Sequence, residues 1–182
     1  MTDRAHAIRV ASESDLQAVA RIHIASWQDA YKGVIPDTLL ADRSVEGSLS
    51  GWRSTFAKYP ANITVATSRD GVIRGFCCAG PVVDAIRSAP FEFEIYGLHV
   101  SPESRRQGIG ATLLRDAFAR ARDREGMNSA IVWTLQELQL SRRFYEREGG
   151  KVVNSGVWSI GGLALPEVAY GWTSLHHVER ID

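Results

Sequence analysis

Apolar residues recur along this chain with two periods, and the switches between them lay out its elements. Ile8–Arg9–Val10 is a short strand-like run. From there the period lengthens: Leu16, Val19, Ala20, His23, Ile24 and Trp27 fall at helical spacing. Ser14 with Gln17 three residues on has capping-box spacing. Gly33, after Tyr31–Lys32, is placed to stop the helix. Pro36 suits the first turn of a second helical region. Its apolar set is Leu39, Leu40, Leu49, Trp52 and Phe56, with a break around Ser44 to Gly47. Ile63 to Thr67 and Val72 to Ala79 read as paired strands around Ser68–Arg69–Asp70–Gly71, a hairpin turn cued by Asp-Gly. Gly80 to Pro90 reads as a loop, and Phe91 to Val100 as a longer strand ended by Ser101–Pro102. Gly108 to Glu125 is helical, with Ile109, Leu113, Leu114, Ala117, Phe118 and Ala121 as its buried stripe. Ala130 to Leu135 is a strand, and Gln139 to Glu148 a short helix ended by Gly149–Gly150. Lys151 to Ile160 and Glu167 to Leu175 are strands joined across Gly161–Gly162. This order predicts an α/β or α+β three-layer domain with a mixed sheet.

Composition narrows the picture. The 182 residues, with 45% hydrophobic, suffice for one domain over 1–182 with a full core. Net charge is +0, so nothing marks a general nucleic-acid or membrane binder, and any anion site must be local. Cys77 and Cys78 are adjacent in a strand-like run and point to opposite faces, so they read as reduced thiols of a cytoplasmic protein. The chain opens without a signal or lipidation motif, and no apolar run reaches ~18 residues. His176 and His177 have no ligand-spaced partners, and no metal site is expected.

One junction carries a chemical signal. The strand Phe91 to Val100 meets the turn Ser101–Pro102–Glu103–Ser104–Arg105–Arg106–Gln107, which runs into Gly108–Ile109–Gly110 at the head of a helix. First-turn N–H groups lack helical partners and the dipole is positive there, so arginines and glycines at that point make an anion site. A dinucleotide fingerprint needs a small residue three places after Gly110, where Leu113 stands. A Walker motif fails for want of Gly-Lys-Ser/Thr.

Arg105-x-x-Gly108-x-Gly110 resembles motif A of the GNAT superfamily of acyl-CoA-dependent N-acetyltransferases. The preceding Glu94–Ile95–Tyr96–Gly97–Leu98–His99–Val100 is similar to that family's central strand, and Ser141–Arg142–Arg143–Phe144–Tyr145–Glu146–Arg147–Glu148–Gly149 to its motif B. The resemblance is continuous from Ile63 to Gly150, with the core motifs in 63–150. It implies a GNAT fold: a mixed, mostly antiparallel sheet with splayed central strands, flanked by helices on both faces. It implies acetyl-CoA (coenzyme A) as cosubstrate. Backbone amides from Gln107 through Gly108, Ile109 and Gly110 to Ala111 would hold the pyrophosphate, flanked by Arg105 and Arg106. Leu98, His99 and Val100 would pair with the pantetheine arm through their backbone. Leu138 stands where many relatives carry Asn, so that residue's contact is not carried over.

Acyl transfer from a thioester to an amine needs a neutral amine, a polarised carbonyl, a stabilised thiolate and both substrates held together. By strand alternation Glu92, Glu94, Tyr96 and Leu98 share one face, and a carboxylate among aromatics has a raised pKa, so Glu94 is the candidate base, directly or through water. Glu92, His99 and water stay open as alternatives. Tyr145, at the motif B tyrosine position, is the candidate acid by resemblance. Trp27, Tyr31, Glu92, Tyr96 and Trp158 are candidate acceptor-binding residues, with Trp52 as a further wall aromatic and Asp84, like Glu92, as a carboxylate that could attract an amine. The N-terminal helices and the C-terminal hairpin would shape that acceptor site.

The expected activity is transfer of an acetyl group to a primary amine by direct attack in a ternary complex. The acceptor is a small molecule or a peptide. Homodimers are common among relatives. The rival reading is a catalytically degenerate acyl-CoA-binding or regulatory domain.

Overall fold

In the computed structural model, which describes residues 6–176, the period-two runs are strands and the longer-period runs helices. Seven mostly antiparallel strands and their flanking helices make the mixed α/β class that the pattern predicts. The chain divides into two compact units, Met1–Cys78 with Gly97–Asp116, and Ala79–Tyr96 with Ala117–Asp182. Among the described residues no helix is long and apolar enough to cross a membrane. His177 lies outside the described residues.

The first unit holds β1 (Ala7–Val10), β2 (Ile63–Thr67), most of β3 (Ile73–Pro81) and the end of β4 (Phe93–Val100). β1 and β3 flank β2, both antiparallel to it. α1 (Leu16–Ala30), α2 (Asp37–Ala41) and α3 (Val45–Lys58) belong here, with the first turns of α5 (Ile109–Glu125). Leu16, Val19 and Ile22 of α1 pack on Ile63, Val65, Phe76 and Cys78 of the strands, and Leu49, Trp52 and Phe56 of α3 lie against them. The stripe predicted for α1 is therefore its buried face. The N-terminal cap is not the expected one. Asp15, not Gln17, closes the box, its carboxylate accepting from the Ser12 N–H at 2.7 Å and from the Ser12 hydroxyl at 2.8 Å. A carboxylate accepts more strongly than an amide, and Arg9 holds it in place at 2.6 Å and 2.9 Å. The helix pair is separated only by 42–44, because the Ser44 hydroxyl accepts from the Gly47 N–H and caps α3.

The second unit holds the start of β4, then β5 (Ala130–Leu135), β6 (Lys151–Ile160) and β7 (Leu163–Trp172). β5 is parallel to β4 and antiparallel to β7, which also pairs β6. The β4–β5 ladder joins Phe93–Ile95 to Ala130–Val132 and ends there. α6 (Gln139–Arg147) follows β5. The predicted loop contains a helical turn, α4 (Ala85–Ser88), because the Asp84 side chain caps it by accepting from the Arg87 N–H at 3.0 Å. β7 begins four residues before the predicted Glu167, at Leu163. Gly161 and Gly162, with φ of 55° and 81°, make the tight turn between β6 and β7.

Candidate active site

The turn before α5 is built on two left-handed residues. Arg106 and Gly108 both lie in the left-handed region, with φ of 59° and 81°. For Arg106 that conformation is costly and uncommon, so the turn around it is imposed by its surroundings. A Cβ at Gly108 would meet no atom within 4 Å, so the turn is open there. The Thr112 N–H is the first to find a helical carbonyl, that of Gly108 at 3.0 Å, which leaves Ile109, Gly110 and Ala111 as the helix's orphan donors. Gln107 is half-buried beside them and the Ile109 side chain is fully buried, anchoring the helix start.

The two arginines differ. Arg105 forms an ion pair with Asp29 of α1. Arg106 is exposed. Just before the turn, the end of β4 is pressed close to β3 by a glycine: a Cβ at Gly75 would stand 2.9 Å from the His99 carbonyl oxygen and 3.2 Å from Ile109 and Leu113. Gly75 thereby fixes the seat of the turn, and its role has no signature short of the fold. Leu98, His99 and Val100 are all partly buried at this strand end.

His99 sits inside a polar pair that the sequence only half reveals. Its Nδ1 lies 2.7 Å from the Ser26 hydroxyl, and its ring stacks on Phe76 with centroids 5.1 Å apart. His23 meets it edge-on at 5.0 Å, and the His23 Nδ1 lies 2.9 Å from the Ser48 hydroxyl. Burial pushes both imidazoles down, His23 to about 4 with help from Arg43, and His99 to about 3 with help from His23 and Arg105. Both rings are neutral near pH 7. His23 had shown itself only as a polar residue on an apolar stripe; Ser26 and Ser48 gave no sign.

In the second unit, Glu94 is half-buried on β4. Its Oε2 accepts from the Ser88 hydroxyl at 3.2 Å, and that hydroxyl accepts from the Trp133 indole at 3.4 Å. Burial raises the Glu94 pKa; Asp84 and Glu167 add to the rise, while Ser88 and Arg87 oppose it. Arg87 is spoken for: its guanidinium bonds Glu167 at 2.6 Å and lies 4.2 Å over the Trp133 ring. Glu167 is itself raised by burial, with Arg87 opposing. Gly156 makes room for this group, since a Cβ there would stand 3.2 Å from Glu167 and 3.3 Å from Trp133. Sequence reasoning missed Arg87, Ser88 and Glu167. They come from a predicted loop and from a strand eighty positions away.

Tyr145 on α6 is buried among Phe144, Tyr170 and Trp172, with ring centroids at 5.2, 5.9 and 6.2 Å. The Tyr170 hydroxyl donates to Glu146 at 2.7 Å and accepts from Arg142 at 3.1 Å. Leu138 stands at the N-cap of α6 without a side-chain cap, and the helix start is tied instead by Gln139 and Arg142 to the Gln136 carbonyl, at 3.3 and 3.2 Å. Of the acceptor candidates, Trp27 and Tyr31 stack on each other at 4.3 Å, with Arg43 over Trp27. Glu92 accepts from the Asn128 N–H at 2.8 Å and the Ser129 hydroxyl at 3.3 Å. Tyr96 is exposed and donates to the Pro81 carbonyl. Trp158 is half-buried on β6. Among the described residues no cluster of His, Cys, Asp or Glu is arranged to hold a metal ion.

Known proteins share this family and fold. Residues 18–150 match the model of the Acetyltransferase (GNAT) family. The chain is 28% identical over 174 residues to YuaI, an uncharacterized N-acetyltransferase of Bacillus subtilis, covering 96% of each chain. Similar solved structures include the PaiA N-acetyltransferase of Thermoplasma acidophilum in complex with coenzyme A, at TM-score 0.67 and 20% identity, over 90% of this chain and 98% of that one. Another is yncA of Salmonella typhimurium with its cofactor acetyl-CoA, at TM-score 0.68 and 20% identity, over 98% of both chains.

Proposed function

The chain belongs to the GNAT acetyltransferase family and is an N-acetyltransferase, and from that premise we propose that it moves an acetyl group from acetyl-CoA to a primary amine by direct attack. The observation that carries the donor assignment is the turn at 105–111. Left-handed Arg106 and Gly108, open space over Gly108 and the orphan amides of Ile109, Gly110 and Ala111 together fit a diphosphate. The amides from Gln107 to Ala111 hold it, and Arg106, exposed beside them, adds a cation. Arg105, paired with Asp29, acts by fixing the turn. The β4–β5 ladder ends at Ile95, which supports assigning the strand end at Leu98, His99 and Val100 to the pantetheine arm through backbone groups.

Bound acetyl-CoA supplies an activated thioester, so no covalent nucleophile is asked of the protein. Glu94, its proton affinity raised by burial, takes the proton of the attacking ammonium directly or through water. His99, neutral at working pH with its Nδ1 on Ser26, is the weaker base by this reading. Tyr145 returns a proton to the departing thiolate. Trp27, Tyr31, Glu92, Tyr96 and Trp158 are the residues assigned to the acceptor, with Trp27 and Tyr31 stacked on each other and Tyr96 exposed on β4. The acceptor is a small or peptide amine, and the enzyme works in the cytoplasm.

Calorimetry with coenzyme A and thiol release across an amine panel test this reading. Gly110→Asp is expected to abolish coenzyme A binding by placing bulk and negative charge at the phosphate seat; unchanged binding refutes the donor site. Tight binding with no turnover for any amine would move the protein to a regulatory acyl-CoA-binding role.

A further inference from the structure

Ser88 lies fully buried, and its hydroxyl is within hydrogen-bond distance of two groups with fixed roles. The Trp133 indole N–H can only donate. It lies 3.4 Å from the Ser88 oxygen, which must therefore accept from it. A hydroxyl has one proton to give, and the Glu94 Oε2 at 3.2 Å accepts. The chain of bonds thus has one direction, from indole through hydroxyl to carboxylate. Around it stand the charged groups that face Glu94: Arg87 and Asp84 from the α4 segment and Glu167 from β7. Arg87 is drawn to Glu167 at 2.6 Å and rests on the Trp133 ring, so its charge is largely answered before it reaches Glu94.

We propose that Ser88, backed by Trp133, is a positioning residue that engages Oε2 of Glu94 and leaves Oε1 as the oxygen that takes the proton of the acceptor amine. Glu167 is its electrostatic counterpart. By holding Arg87 it keeps that cation from weakening the base. The chemical role of Glu94 in this inference rests on the function proposed above; the hydrogen-bond chain does not. Proton transfer is balanced: the N–H bond of the ammonium breaks, an O–H bond forms at Oε1, and the amine keeps the electron pair that attacks the thioester.

The test reads the carboxyl itself. Protein carrying carboxyl-labelled glutamate is titrated by carbon NMR, with the Glu94 resonance assigned by its loss in Glu94→Gln. Ser88→Ala removes a donor to the charged form, so the Glu94 midpoint is expected to rise by about one pH unit, a tenfold gain in proton affinity. Glu167→Gln removes a negative neighbour and frees Arg87, so the midpoint is expected to fall. A general loosening of the fold would move both variants the same way. A midpoint unmoved in natively folded Ser88→Ala overturns the chain. Should that variant not fold, Trp133→Phe decides. It keeps an aromatic ring under Arg87 and removes the N–H together with the indole's five-membered ring, and the midpoint is expected to rise by about a third of a unit. No change there also overturns the proposal. The acid limb of thiol release from acetyl-CoA, with whichever panel amine reacts, is expected to follow the same shifts. Wild-type turnover by Glu94→Gln removes the base assignment while the titration still reports on the chain.

Discussion

The His23–His99 pair in the first unit and the Glu94 cluster in the second both place ionisable side chains where water is scarce, and burial pushes each toward its neutral form. The histidines complete that move. Their rings are neutral near pH 7, each has a serine hydroxyl on Nδ1, and aromatic faces from Phe76, Trp27 and Trp52 close around them. The carboxylates do not complete it. Glu94 and Glu167 share one guanidinium, and the geometry gives that guanidinium to Glu167. One cluster is an interior whose polar groups are settled, and the other keeps an ionisable group with its proton affinity raised. Settled polar groups belong to stability; unsettled ones are where chemistry is found.

Substitution at His99 is expected to have the largest effect. His99→Arg puts a permanent charge where the neutral ring stacks on Phe76, and is expected to cost about 3–5 kcal/mol in urea denaturation. His99→Phe keeps the stack and lets the Ser26 hydroxyl rely on its bond to the His23 carbonyl, so it is expected to cost under about 1 kcal/mol. Equal losses for the two would mean that the ring's environment is wet and that the contrast with Glu94 is false.

Glu167→Ala comes next. It leaves Arg87 over Trp133 with no counter-ion, but Arg87 keeps 38% of its side chain in solvent, which limits the loss to about 1–2 kcal/mol. The double change Arg87→Met/Glu167→Leu is expected to cost less than Glu167→Ala alone, because removing both charges leaves none stranded. A double variant that loses the sum of the two single losses shows that the pair is uncoupled.

The pH dependence of stability separates the clusters by sign. The histidines have folded pKa values of about 4 and 3, below the ordinary 6.5, so the unfolded chain takes up protons first as pH falls. Their contribution is present above 6.5 and is lost as pH drops toward 4. The raised carboxyls act oppositely, adding stability as pH falls through their raised midpoints. Thermal unfolding from pH 7 to 4 is expected to show a falling midpoint that flattens in His23→Phe/His99→Phe and steepens in Glu94→Gln/Glu167→Gln. A profile unaffected by the histidine changes would place their titration in the ordinary range.

How much of this was legible follows the range of each interaction. The apolar pattern located β1, β2, β5 and α1 to within a residue or two: β2 is a largely apolar run because it is buried throughout, and α1 shows helical spacing because one of its faces is buried. His99 stacks on Phe76 in the first unit's core, a packing role that its place in the strand allowed. The start of β7 was hidden by Pro166, which reads as a strand breaker. It is tolerated because the β5 ladder reaches only Glu167, so no bond from the proline nitrogen is needed on that side. Contacts that cross the sequence left no local mark: Arg105 with Asp29, Arg87 with Glu167, Gly75 under His99. Glu94 was read from a short stretch, whereas its burial and the Glu167 carboxylate, which add to its proton affinity, depend on the fold.

The smallest expected stability effect is the most informative about function. Glu94→Gln keeps the shape of the side chain, offers its amide oxygen to the Ser88 hydroxyl and removes the charge that burial penalises. At pH 7 it is therefore expected to stabilise the fold slightly, by about 0.5 kcal/mol, in denaturant titrations. Acetyl transfer to a basic amine is expected to fall at least about a hundredfold at the same pH, since the ammonium loses its proton acceptor. Coenzyme A binding, assigned to the 105–111 turn, is expected to stay unchanged. Gain of stability with loss of turnover is what a carboxylate kept for chemistry predicts. Loss of stability would put Glu94 beside the histidines, as a polar group that the fold itself requires.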